Sequence, residues 1–172
     1  MLRDDLSWEE QIPRHVDIVH FQFNPGKELD RPYLMTEHGN SIGGLPLPRN
    51  TIFVSANHAQ RHASAAYVHN GLDWSHYGTV DWSRRRDHFH FLAKASWKVK
   101  NVQGAIDVTY DAGVPLAVMG GRRLSIKRGF RFTWQRHASF HGMVGGAQKI
   151  NLLNASRGLI FPVSWHKPFG LA

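Results

Sequence analysis

The strongest constraint on this chain is a rhythm. Short, uniformly apolar runs end in glycine or proline loops and alternate with stretches of helical period. Residues Asp17–Phe23 form one such run, closed by Asn24-Pro25-Gly26, and Pro32–Thr36 form a second, which delivers Glu37-His38-Gly39-Asn40 into a loop holding Gly43-Gly44. Thr51–Ser55, Tyr67-Val68, Phe89–Leu92, Val114–Val118 and Leu159–Phe161 continue the series. Between them, Asn57–Ala66 reads as a short helix with Ser55 or Asn57 as its N-cap. Asn101–Ala112 reads as an amphipathic helix with Val102, Ala105, Ile106 and Thr109 on one face and Gly113 as its stop. Ala147–Ser156 is a third. Strands that are apolar on both faces and alternate with helices predict an α/β fold with parallel sheets. Ligands of such sheets sit beyond the carboxyl ends of the strands, where the glycine and proline loops fall.

Two interruptions organise the chain. Between Trp74 and His88 the pattern dissolves into Gly, Ser, Trp and charge. This predicts a first domain over 1–75, a linker over 76–88 and a second domain over 89–172. The other interruption is Arg122–Trp134, where Leu124, Ile126, Phe130, Phe132 and Trp134 alternate with polar residues around Arg128-Gly129. That alternation predicts a hairpin whose apolar face packs on the core.

The bulk numbers exclude several classes. Hydrophobic residues make up 42% and charged residues 20% of 172 residues, enough for a packed core. The absence of cysteine removes disulfides, thiolate metal sites and cysteine nucleophiles. No apolar run is long enough to span a bilayer, and Met1–Glu10 is acidic and mixed rather than signal-like, so a soluble cytoplasmic protein is expected. A formal charge of +8 points to an anionic partner, either a phosphorylated small molecule, an anionic lipid surface or nucleic acid. Six of the fifteen residues from Arg122 to Arg136 are basic and none is acidic.

Near the C-terminus an apolar run from Gly158 to Phe161 meets Pro162, and Pro168-Phe169-Gly170 follows as the opening of a helix. Strand, tight turn and helix start form an anion site, because the first amides of a helix lack internal partners. His58 and His62 at i,i+4, and His88 and His90 on one strand face, are pairs that metals use. Neither has a carboxylate or third ligand nearby in sequence, so no metal is expected.

Taken in order, the loop motifs resemble the retaining, two-domain GT-B glycosyltransferases of the glycogen-synthase-like group (family 4, group 1). The resemblance runs through Asp17-Ile18-Val19-His20, Thr36-Glu37-His38-Gly39, Val54-Ser55, Asn70-Gly71-Leu72-Asp73 and Phe91-Leu92-Ala93-Lys94 with Lys100-Asn101. It continues through Gly120-Gly121, Phe140-His141-Gly142 and Pro168-Phe169-Gly170-Leu171. It implies two Rossmann-like doubly wound lobes, each incomplete here, and transfer of a sugar from a nucleotide-sugar donor with retention and without a divalent metal or other cofactor. His38 matches the family's active-site histidine, facing the transferred sugar. Lys94 and Lys100 fall where the family grips the donor diphosphate, and Phe169, Gly170 and Leu171 would offer backbone amides to the donor phosphate or sugar.

The chain departs from the pattern at several points. Lys94 stands where the family has Arg, which keeps the charge and loses the bidentate fork. The interval from Lys94 to Lys100 is one residue longer. Lys167 occupies the place of an acidic residue that binds sugar hydroxyls, yet a lysine only donates. Nothing before Asp17 resembles the family's first glycine-rich loop, and two complete domains need roughly twice this length. The resemblance therefore implies a piece of such an enzyme, truncated at both ends. A non-catalytic remnant of the same fold is an alternative, and a basic nucleic-acid-binding module a more distant one. The expected partners are the nucleotide-sugar and an acceptor that the sequence does not identify, with peripheral membrane contact and self-association through exposed sheet faces as further expectations.

Overall fold

The computed structural model describes residues 7–40, 46–126 and 130–170. The Gly43-Gly44 loop, the Arg128-Gly129 turn and Leu171 lie outside the described residues. The chain divides into two compact units, Met1–Gly71 with His166–Leu171, and Leu72–Trp165. The C-terminal segment, expected in the second domain, thus belongs with the first unit.

The first unit is built on three parallel strands in chain order: β1 (Val19–Phe21), β2 (Tyr33–Glu37) and β3 (Thr51–Phe53). A parallel bridge from Phe53 to Tyr67 extends the sheet by one short partner. Phe21, Tyr33 and Met35 are buried on one face and covered by Trp8, Ile12, Val19, Leu29 and Leu47. Their rings meet edge to face, Trp8 at 5.2 Å and Tyr33 at 5.7 Å from Phe21, the geometry that aromatic quadrupoles favour. The helix α1 (Ala56–Arg61) follows β3 and starts where the Ser55 hydroxyl accepts from His58 N. It packs on Phe53 through His58 and His62, whose rings lie 5.0 and 4.8 Å away.

The second unit carries a four-stranded parallel sheet of β4 (His88–Leu92), β5 (Leu116–Met119), β8 (Ala138–Phe140) and β9 (Ser156–Leu159). The helices are α2 (Val102–Asp111), between β4 and β5, and α3 (Gly146–Asn154), between β8 and β9. Spatial order is β8-β5-β4-β9, so the strands, counted in chain order, lie 3-2-1-4 and the winding reverses between β4 and β9. Every residue of β5 is buried, as a central parallel strand demands. Val102, Ala105, Ile106 and Thr109 of α2 are all buried, and the first three join Phe91, Leu116 and Val118 in the core. The helix ends in a Schellman turn: Gly113 takes φ +64°, Val114 N donates to Thr109 O and Gly113 N to Tyr110 O. Leu152 of α3 accepts from His88 Nε2 at 3.2 Å, which places α3 over the histidine side of β4.

The expected α/β class with two Rossmann-like lobes is therefore what the structure shows. Some local expectations shift. The stretch expected as a linker packs on α3 instead: Asp81 N donates to Asn154 Oδ1, Arg84 bonds Asn151 and Lys149 Nζ lies 4.7 Å from the Tyr77 ring centre. The last strand spans Ser156–Leu159 rather than running to Phe161, and Pro168-Phe169-Gly170 opens no helix within the described residues. A third shift concerns Arg122–Trp134. The strands β6 (Leu124–Ser125) and β7 (Arg131–Phe132) pair antiparallel as expected, yet their apolar face is exposed rather than packed on the core.

Gly120 explains why a glycine pair follows β5. Ala95 N donates to Gly120 O at 2.9 Å, so the chain leaving β4 crosses directly over it. A Cβ at Gly120 would lie 2.1 Å from Ala93 O, and φ there is +120°. Gly120→Ala should destabilise the second unit by more than about 3 kcal/mol in calorimetric unfolding. Gly71→Ala, in open space, should change stability by less than about 0.5 kcal/mol.

Two histidines are buried without charge. Both ring nitrogens of His58 are inaccessible and lack a partner of acceptable geometry. Burial, then the nearby Arg61 and His62, push it down to about 4 against the opposing pull of the Gly39 backbone. Burial and then His88 hold His90 at about 4, while its Nδ1 lies 2.6 Å from Ser156 Oγ. Between pH 4 and 6.5 the unfolded chain binds these protons and the folded chain does not. Stability is thus full above about pH 6.5 and lost as pH falls toward 4, by roughly 2–3 kcal/mol per histidine. Denaturant melts across that range should show the loss, and His58→Phe should roughly halve it by leaving only the His90 contribution.

Candidate functional site

The reversal between β4 and β9 is where an open α/β sheet offers a crevice to ligands, since neighbouring loops leave in opposite directions there. β4 runs into Ala93 and then Lys94–Lys100, and β9 runs into Ile160–Trp165. From Lys94 to Gly104 the chain carries Lys94, Lys98 and Lys100 and no acidic residue. Lys94 is exposed, with Nζ 5.5 Å from the centre of the Trp97 ring. Lys100 is half-buried, its Nζ 5.6 Å from the Phe161 ring centre and 5.1 Å from that of Trp165. Burial lowers the Lys100 pKa, while the two aromatic faces favour its cation.

Asn101 joins the two sides of this crevice. It sits at φ +52°, ψ 50°, accepts from Gly104 N through Oδ1, and donates through Nδ2 to Pro162 O at 3.0 Å. A Cβ at Gly104 would come within 2.6 Å of Asn101 Nδ2, so glycine at that position leaves room for the cap. Ser164 N donates to Val99 O at 3.0 Å, a second tie between the same loops. The stretch from Lys94 to Lys100 ends in a 3-10 turn over Lys98–Lys100. Beside the start of α2 lies a groove of about 580 Å³ whose polar lining includes Lys98, Asn101, Gln103, Ser125 and Arg131. Neither Lys94 nor Lys100 lines it.

The other expected residues belong to the first unit. His38 is exposed just past β2, and its Nε2 lies 2.5 Å from Gln22 Oε1. An amide oxygen only accepts, so His38 carries its proton on Nε2 and leaves Nδ1 open. Gln22 Nε2 donates to His20 Nε2 at 3.2 Å, and the Thr36 hydroxyl donates to the same nitrogen at 2.7 Å. A polar chain thus runs along the carboxyl ends of β1 and β2 and ends at His38.

The C-terminal segment lies across the same sheet edge. Asn40 Nδ2 donates to His166 O at 3.0 Å, Ser55 Oγ donates to Pro168 O at 2.5 Å, and the Phe169 ring lies 5.4 Å from that of His69. Lys167 folds back over Gly170, where a Cβ would lie 3.5 Å from Nζ. The structure therefore groups Lys167, Phe169 and Gly170 with the strand ends that carry His38, and groups Lys94 with Lys100. Sequence alone did not single out Gln22, Trp165 or the two hydrogen bonds made by the Asn101 side chain. Gln22 and Trp165 could have been found only by following each strand past its end. Asn101 had a signal in its place before an apolar helical face.

In structure the chain is similar to AviGT4, a glycosyltransferase involved in avilamycin A biosynthesis, with a TM-score of 0.64 and 17% sequence identity. The match covers 90% of this chain and 50% of that protein, so the chain spans half the length of this relative. At such identity the likeness shows a shared glycosyltransferase-type fold. No protein-family model matches the chain, and no curated protein matches it in sequence.

The hydrogen-bond chain makes a prediction of its own. Long-range nitrogen–proton NMR of the neutral His38 ring should show protonated Nε2 and bare Nδ1. In Gln22→Ala the ring should become a mixture of both tautomers, while a single unchanged tautomer would remove Gln22 from this role.

Proposed function

We propose that this chain is part of a GT-B glycosyltransferase and that its second unit binds the diphosphate of a nucleotide-sugar donor. The observation that carries the reading is the position of Lys94 and Lys100 on the loop leaving β4, at the one reversal of the strand order. An anion is the ligand that an uncompensated lysine loop at such a crevice attracts. When the bond between sugar and diphosphate breaks, negative charge grows on the leaving phosphate oxygens. Cations fixed in advance stabilise that charge more than they stabilise the ground state. In this reading Lys100, lying against Phe161 and Trp165, supplies one such cation, and the more exposed Lys94 adds a second.

In this reading His38 acts on the transferred sugar, with open Nδ1 as the group offered to it. Phe169 and Gly170 contribute backbone groups and Lys167 hydrogen-bond donors. Leu171, outside the described residues, is assigned with them. Retention at the anomeric carbon and the absence of a metal requirement follow from the same family resemblance. No helix among the described residues is long and apolar enough to cross a membrane.

Thermal unfolding with a panel of nucleoside diphosphates tests the donor assignment. A ligand at ten times its Kd stabilises by about 1.4 kcal/mol, or roughly 3–6 °C for a chain of this size. The Lys94→Ala, Lys100→Ala double variant should lose that shift. Absence of a shift with every nucleotide at millimolar concentration would overturn the reading.

A further inference from the structure

The ribbon of β6 and β7 faces the wrong way for a core hairpin. In its register Leu124 opposes Phe132 and Ser125 opposes Arg131. Since side chains alternate, Leu124, Ile126, Phe130, Phe132 and Trp134 share one face, and Arg123, Ser125, Arg131 and Thr133 share the other. The polar set is the one turned to the body. Thr133 is buried, and Arg123 donates from Nη1 to Thr133 O and Gln135 O and from Nη2 to Ala138 O. Arg131 donates to Thr133 Oγ1 and Arg122 O, and both guanidinium groups lie over the Phe140 ring. The outward face is consequently apolar, with Phe130 80%, Trp134 81% and Ile126 70% exposed.

This exposure is built in. A one-residue slip would turn the aromatic face inward, but it would also remove five hydrogen bonds made by two arginines. Exposed Arg122 and Arg136 flank the apolar face, and no acidic residue lies between them. Apolar and aromatic side chains ringed by cations match the boundary of an anionic bilayer, where rings enter the headgroup layer and arginines meet phosphates. Single-stranded nucleic acid fits less well. The Phe132 and Trp134 rings stand at 71° to each other with centroids 4.5 Å apart, so they offer no common stacking plane, and Leu124 and Ile126 cannot stack at all.

We propose that this ribbon is a membrane-docking element that seats the second unit on an anionic lipid surface. It does so without a spanning segment and independently of any glycosyl transfer. Co-sedimentation of the full chain with vesicles tests it. Binding is expected to vesicles of equal phosphatidylcholine and phosphatidylglycerol, and much less to phosphatidylcholine alone. Phe130→Ser with Trp134→Ser should lower the affinity about tenfold or more with unchanged circular dichroism, because both side chains are already in solvent. Arg122→Gln with Arg136→Gln should remove the preference for the anionic lipid. On the unaltered chain, lipid brominated near the headgroup should quench tryptophan fluorescence, and Trp134→Phe should remove part of that quenching while keeping binding. The proposal is overturned if neither vesicle is bound, or if the serine variant binds as well as the original. It is equally overturned if the serine changes instead abolish binding to a single-stranded oligonucleotide or dissolve a dimer of this chain.

Discussion

Much of the geometry around Lys100 depends on one side chain. Asn101 uses its oxygen to cap α2 and its nitrogen to hold the carbonyl of Pro162. The first bond fixes where the helix begins, and therefore where the loop from β4 must end. The second fixes the chain that leaves β9 against that same point. Between these two loops lies the reversal in strand order, and Lys100 is the residue immediately before the cap. Its contact with Phe161 and Trp165 depends on both loops being held. A cap is ordinarily worth about 1 kcal/mol; here it also sets the distance between a cation and the aromatic faces that shield it. The left-handed backbone at Asn101 and the missing Cβ at Gly104 are conditions for that geometry.

The glycines after β5 serve the same end from the other side. Gly120 lets the backbone at Ala93, and Gly121 the Cβ of Ala95, come closer than any side chain would allow. In sequence such a pair looks like a phosphate loop, because close approach of a ligand and close approach of another backbone place the same demand on the residue. The chain itself occupies the space that a phosphate would need at Gly120. In the proposed reading, anion binding in this unit therefore falls to side-chain cations rather than to a cradle of amides. This is consistent with a loop that carries three lysines.

What was legible in the sequence was whatever depends on periodicity. The α2 face at positions 102, 105, 106 and 109, its Gly113 stop and the all-apolar β5 follow from burial on known sides of known elements. The strand order is not periodic, and neither is the return of residues 166–170 to the first unit, which Asn40 and Ser55 secure. The grouping of Pro-Phe-Gly with His38 was implied only by the family resemblance, because hydrogen bonds spanning more than a hundred residues leave no trace in local pattern. The hairpin exposes a further limit. Alternation says that two faces differ, but only the partners of Arg123 and Arg131 decide which one faces the protein.

The buried histidines show how the same residue type divides by surroundings. As i,i+4 and i,i+2 pairs, His58 with His62 and His88 with His90 had the spacing of metal ligands. Among the described residues no group of three or more histidines or acids is placed to hold a metal ion. His90 instead satisfies Ser156 inside the sheet, and His58 fills space against Phe53. Both do so as neutral rings, since desolvation costs an imidazolium more than any neighbour here returns. His38 is the opposite case: exposed at a strand end, oriented by an amide, and left with one nitrogen to offer. Burial removes a histidine from proton chemistry near neutrality, while orientation at a surface prepares it for that chemistry. On this physical ground the proposed role toward the sugar falls to His38 rather than to either buried ring.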